Sequence, residues 1–156
     1  MQAEDVQIAP TSSTSEEAHY CLREYFKEID ERFEGGFEDD HSAEPEDLKP
    51  PDGLFLLATL DGKPIGCGAL KRAEREMGDL KRMWVDPSVR GLGVGRRMLE
   101  ALEHHAVDLG LSAVRLETNR NCPEALALYR GSGYREVEPF NDIKYAHHWF
   151  EKHLAR

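Results

Sequence analysis

The chain lacks long apolar runs, an even set of cysteines, internal repeats and any basic excess, and each absence removes a class of protein. A membrane-spanning helix needs about 20 consecutive apolar residues, and no such stretch occurs among the 156 residues. The three cysteines, Cys21, Cys67 and Cys122, are odd in number and widely spaced, which argues for a reducing compartment and against a disulfide framework. Residues 1–5 are polar and acidic, unlike the start of a secretory leader, so the expected setting is cytoplasmic and away from membranes. Lysine and arginine number 20 against 30 aspartates and glutamates, a formal charge of −10. A general nucleic-acid binder needs a basic face to neutralise phosphates; no nucleic-acid partner is expected. The acidic balance suits solubility or a cationic partner.

What is present is a hydrophobic content of 40% with aromatics spread through the length, enough for one self-sufficient core, so 1–156 is expected to be a single domain. Residues 6–9 predict an edge strand. Thr14 and Glu17 have capping-box spacing ahead of a helical stripe of Ala18, Leu22, Tyr25, Phe26, Ile29 and Phe33, which Gly35-Gly36 ends. Cys21 lies beside that stripe and fits core better than nucleophile. Residues 37–52 form an acidic connection with Asp39, Asp40, Glu44, Glu46 and Asp47 around His41. No second His or Cys stands at ligand spacing, so no metal is expected there.

Residues 54–60, L-F-L-L-A-T-L, predict a strand buried on both faces. Asp61-Gly62-Lys63-Pro64 is a hairpin turn, residues 65–70 return as a strand, and a charged loop over 71–78 leads to a third strand at 79–85, completing an antiparallel meander. Met98, Leu99, Leu102, Ala106 and Leu109 form a second helical stripe ending at Gly110. Residues 113–118 are a strand, and the resulting β-α-β unit places it parallel and adjacent to 79–85. Pro123 opens a short helix to Arg130 that Gly131 and Gly133 stop. Residues 134–137 and 143–150 are the final strands.

The stretch from Val85 to Arg97, V-D-P-S-V-R-G-L-G-V-G-R-R, has the layout of an anion cradle. Gly91, Gly93 and Gly95 let the backbone curl its N–H groups toward one spot, at a helix N-terminus that already favours negative charge. A phosphate loop of the Walker type needs Lys then Ser or Thr after its last glycine, and Arg96-Arg97 stand there. A dinucleotide loop needs G-x-G-x-x-G in a run of β-α-β units, and the residue three after Gly93 is Arg96. The remaining pattern is R-x-x-G-x-G, met by Arg90, Gly93 and Gly95.

With that loop, the stretch R-L-E-T-N and the segment E-A-L-A-L-Y-R-G-S-G-Y, the sequence resembles the GNAT superfamily of acyl-CoA-dependent N-acyltransferases over nearly its whole length. The resemblance implies an α/β (α+β) fold: one mixed, mostly antiparallel sheet of about seven strands, flanked by about four helices, with a central parallel pair splayed into an acyl-CoA cleft. It implies that acetyl-CoA is the acyl-donor cosubstrate, its pyrophosphate held on backbone N–H groups of Gly91, Leu92, Gly93, Val94, Gly95 and Arg96 beside Arg90. The pantetheine arm would pair with the backbone of Met83, Trp84 and Val85, where a main-chain N–H polarises the thioester carbonyl. Tyr129 falls where the family places its general acid and also contacts the cosubstrate; Asp79 and Glu117 are the candidate bases. Many relatives carry an arm-binding Asn seven residues before that Tyr; here Cys122 stands there, with Asn121 one place earlier.

The resemblance further implies an acceptor pocket built from residues 25–52 and 139–150, and allows a homodimer through the last strands. An acidic lid with Phe140, Tyr145, His147, His148 and Trp149 suits a small cationic amine or a peptide amino group. His147 and His148, adjacent on a strand, would point to opposite faces and not share a metal. The rival reading is a non-catalytic acyl-CoA sensor or interaction module that keeps the cleft.

Overall fold

A computed structural model describes residues 5–37 and 43–155. Ten elements follow one another: β1 (Val6–Pro10), α1 (Glu16–Arg32), β2 (Gly53–Leu60), β3 (Lys63–Arg72), β4 (Met77–Val85), α2 (Val94–Asp108), β5 (Ala113–Thr118), α3 (Pro123–Gly131), β6 (Arg135–Val137) and β7 (His148–His153). Short 3-10 turns at Pro45–Leu48 and Pro87–Val89 bring the helical pieces close to the four expected. The strands make one seven-stranded sheet ordered β1-β2-β3-β4-β5-β7-β6, antiparallel except for β4 beside β5. Among the described residues no helix is long and apolar enough to cross a membrane.

β2 shows why the sheet has two cores. Leu54, Leu56, Ala58 and Leu60 point to one face, where Met98, Leu99 and Leu102 of α2 pack. Phe55 and Leu57 point to the other, against Ala18, Cys21 and Tyr25 of α1. Alternate side chains of one apolar strand thus serve both layers, as a strand covered on both faces requires. Asp61-Gly62 closes β2 to β3, both residues at positive φ of 51° and 79°, the twist a two-residue hairpin needs.

Three boundaries differ from expectation. The N-cap of α1 is Ser15, whose Oγ accepts from the Ala18 N–H at 3.1 Å; Thr14 instead bonds its hydroxyl to Ser12 at 2.8 Å. The loop expected over 71–78 shrinks to 73–76, because Lys71 and Arg72 stay paired with Asp79 and Gly78. The last strand starts at His148 and runs to His153. Residues 143–146 turn instead, with the Ala146 N–H on the Ile143 carbonyl at 3.1 Å and the Tyr145 carbonyl accepting from Asn119 Nδ2 at 2.8 Å. That turn carries Tyr145 into the central cleft. Ser15→Ala is expected to lower stability by about 1 kcal/mol in denaturant titration while Thr14→Ala changes it by at most about 0.5 kcal/mol; the reverse order would return the cap to Thr14.

Candidate active site

The cleft begins where hydrogen bonding between β4 and β5 stops. The two strands pair at Met77–Ala113, Gly78–Val114 and Asp79–Arg115 and no further, although β4 continues to Val85 and β5 to Thr118. Leu80 through Val85 and Leu116 through Thr118 then line a cavity of about 470 Å³. Backbone N–H and C=O groups on the parted edges need partners, and an extended ligand arm laid between them supplies a strand's worth.

A bulge helps to part the strands. On β3, Cys67 pairs with Trp84 and Ala69 with Lys81, so Gly68 stands opposite both Arg82 and Met83. Arg82 takes φ of +56°, a left-handed conformation that is costly for a residue with a Cβ. Two neighbours stabilise it. The Cys67 thiol donates to the Arg82 carbonyl at 3.2 Å. Gly68 leaves room for Met83, whose Sδ would lie 3.0 Å from a Cβ placed there. Sequence reading missed this bulge; its one legible trace was the small-residue run Gly66–Cys67–Gly68–Ala69 on β3.

Beyond β4 the glycine loop behaves as a built turn. Asp86 accepts from the Ser88 N–H and hydroxyl at 2.9 and 2.7 Å. Gly91 and Gly93 hold positive φ of 90° and 79°, and Gly93 is the N-cap of α2. Among the described residues no side chain caps that helix, and its N-terminal residues Gly93, Val94, Gly95 and Arg96 line the cavity together with Gly91. This is the fit a pyrophosphate asks of a chain. Leu92 lies outside, packed on the core. Arg90 lines the cavity but bonds the Val85 carbonyl at 3.0 Å and Glu28 at 2.6 Å, tying the loop to α1. Arg96 reaches the Gly131 carbonyl at 3.3 Å.

Tyr129 and Glu117 both line the cleft. Tyr129 is 7% exposed, its ring tilted against those of Tyr134 and Phe150 at centroid distances of 5.9 and 6.0 Å. Burial, with Cys122 and Glu117 nearby, pushes its phenol well above the usual tyrosine range, so it keeps its proton. Glu117 accepts from Asn141 Nδ2 at 2.8 Å, and the same amide takes the Trp149 indole N–H at 2.8 Å. Asp79 stands apart: it does not line the cavity, and Arg115 holds its carboxylate at 2.6 Å. Asn121 is not in the lining either; it turns away to donate to the Arg32 carbonyl at 2.8 Å. Cys122 lines the cavity in its place, with a thiol raised by burial. Met83, Trp84 and Val85 line the cleft, while Trp84 is buried in the α1-side core.

The region expected to receive the acceptor differs from expectation in composition. Tyr25, Phe26, Phe33 and Phe37 join Tyr145 in an aromatic wall, with Phe37 against Tyr145 at 4.9 Å and Phe26 stacked on Phe37 at 5.8 Å. Asp39, Asp40 and His41 lie outside the described residues. Glu44, Glu46 and Asp47 sit at the 3-10 turn against β2 and β3, with Asp47 paired to Lys71 at 3.6 Å, and none of them lines the cavity. Phe140 lies under the Arg115 guanidinium at 4.4 Å. Neither His147 nor His148 lines the cleft: His147 accepts from the Arg120 N–H at 3.1 Å, and His148 meets Glu136 at 2.7 Å.

Known proteins resemble this chain in sequence and in fold. An IAA acetyltransferase of Azospirillum brasilense is 41% identical over 104 residues, 66% of this chain and 68% of that protein. Some other relatives are longer chains of which this one spans about a third. A GNAT-family acetyltransferase of Staphylococcus aureus Mu50 superposes with a TM-score of 0.78 at 21% identity, covering 96% of this chain and 99% of that one. A GNAT acetyltransferase of Elizabethkingia anophelis, solved with acetyl-CoA bound, superposes at 0.68 with 18% identity, covering 97% and 99%. These structures share the fold, and residues 20–134 match the family model described as "Acetyltransferase (GNAT) family". By that match across most of its length, the chain belongs to the GNAT family of acetyltransferases.

Proposed function

We propose that the chain transfers the acetyl group of acetyl-CoA to a primary amine, either a small molecule or the amino group of a peptide, by direct attack in a ternary complex. Acetyl-CoA supplies an activated thioester: the N–C bond forms as the C–S bond breaks, the nitrogen loses a proton and the sulfur gains one. The observation that carries this reading is a phenol kept protonated and a carboxylate in one cleft, below an uncapped helix N-terminus.

In this reading the backbone N–H groups from Gly91 to Arg96 hold the pyrophosphate, and those of Met83 to Val85 hold the arm and polarise the thioester carbonyl as negative charge develops on it. Tyr129 gives its proton to the departing sulfur. Glu117, oriented by Asn141, takes the proton of the attacking amine directly or through a water. Asp79 is left out of the reaction because Arg115 occupies it. The cationic character expected of the acceptor loses support from Glu44, Glu46 and Asp47, which stand away from the cavity.

Tyr129→Phe is expected to lower kcat by about 10²-fold or more with acetyl-CoA affinity unchanged; unchanged turnover would remove the phenol from the mechanism. Because burial raises this phenol above its ordinary value of 10, a pH–rate profile should show no alkaline fall from Tyr129 below that pH. Glu117→Gln should likewise cost about 10²-fold in kcat, whereas Asp79→Asn should cost less than about tenfold. Equal losses at the two positions would return Asp79 to the list of bases.

A further inference from the structure

The segment joining β6 to β7 follows β5 closely. Alternation puts Arg115 and Glu117 on one face of β5, and Asn119 comes just past its end. Each of the three is met from that segment: Phe140 lies under the Arg115 guanidinium at 4.4 Å, Asn141 Nδ2 donates to Glu117 Oε1 at 2.8 Å, and Asn119 Nδ2 donates to the Tyr145 carbonyl at 2.8 Å. Tyr145 and Glu117 border the cavity; Asn141 and Trp149 do not. Asn141 therefore reaches the site through Glu117.

What fixes Asn141 comes from β7 and from its own turn. Its Oδ1 accepts the Trp149 indole N–H at 2.8 Å and the Ile143 backbone N–H at 3.3 Å. Both of those groups can only donate, so Oδ1 has to face them and Nδ2 has to face Glu117. Trp149 is in reach because β5 and β7 pair antiparallel with Glu117 opposite Trp149, and residues directly opposite in a ladder carry their side chains on one face. A glutamate side chain left to itself spreads over several rotamers, and holding it in one costs entropy that a bonded partner offsets. The Asn141 amide occupies Oε1, and among the described residues nothing bonds Oε2.

Resting on the reading of Glu117 as the base, we infer that Asn141 and Trp149 are positioning residues for the transfer: the Trp149 indole N–H sets the Asn141 amide, and that amide holds Glu117 where it takes the proton of the amine. Both act from outside the cavity, so neither binds a substrate. The bonds made and broken are those already given, and Oε2 is the oxygen left to receive the proton. Proton transfer depends steeply on placement, and a displacement of about 1 Å can cost about 10²-fold in rate. The segment that carries Asn141 also carries Tyr145 into the cavity, so one connection both shapes the pocket and places the base.

The test follows release of free CoA by the full chain from acetyl-CoA with phenethylamine, spermidine and an alanine tripeptide, which stand for an aromatic, a cationic and a peptide amine. Asn141→Asp is the informative variant, because it keeps the oxygen that meets Trp149 and Ile143 and exchanges only the donor toward Glu117 for a second oxygen. With the amine used fastest, it should lower kcat by about tenfold or more while the KM for acetyl-CoA holds, and Trp149→Phe should lower kcat by about threefold or more. Combined with Glu117→Gln, neither change should add more than about twofold, since groups that act as a unit do not add. A kcat for Asn141→Asp or Trp149→Phe equal to that of the unaltered protein, or the same fractional loss with and without Glu117→Gln, would overturn the inference and leave Glu117 as the base. Full kcat in Glu117→Gln would instead remove the base reading and this inference with it. Turnover of none of the three amines would remove the transfer reading and both.

Discussion

Two strands that run parallel for three residue pairs and then separate are the constraint on which the rest of this structure depends. A paired sheet satisfies its own backbone; a parted one leaves N–H and C=O groups that are costly to bury without partners. The seven-stranded sheet can hold this fault at its centre because both faces are covered, by α2 on one side and α1 on the other. Every other neighbouring pair of strands is antiparallel, and regular except for the bulges on β3 and β4.

The walls of the opening are tied by charge. Glu28 of α1 reaches Arg90 in the glycine loop, and Arg32, one turn further along α1, grips Glu124 at the start of α3. One helix thus fixes the position of both the loop that would hold phosphates and the helix that carries Tyr129. These pairs are partly exposed, and in that setting an ion pair contributes little to stability; their consequence is orientation. Tyr129, by contrast, is placed by packing against Tyr134 and Phe150, and the same burial that positions the ring keeps its proton in place.

Much of this was legible from residues. The apolar run of β2, the stripes of α1 and α2, Pro123 at the start of α3 and the glycine loop all follow from local rules that tertiary contacts do not override, and the β-α-β handedness makes β4 and β5 neighbours. The lining of the cleft was legible where it is sequence-local: Gly91, Gly93 to Arg96 and Tyr129 all border the cavity, and Leu92 does not. It was not legible where partners come from distant elements. Nothing near Asp79 in sequence announces that Arg115 will occupy it, and nothing near Asn121 announces that it will turn to Arg32. The bulge at Arg82 escaped because alternation in M-G-D-L-K-R-M-W-V does not reveal an extra residue; only the register against β3 does. Ser15 and Thr14 are equal candidates for a cap by type, and the choice rests on how β1 delivers the chain to α1.

The central claim is that an amine attacks the thioester directly, with both substrates in the cleft at once. Initial rates measured while acetyl-CoA and an accepted amine are varied together test it most directly, joined to mass spectrometry of the protein after exposure to acetyl-CoA alone. The account predicts intersecting double-reciprocal lines and a protein of unchanged mass. Parallel lines together with an acetyl group carried on the chain, above all on Cys122 in the cavity wall, would contradict it.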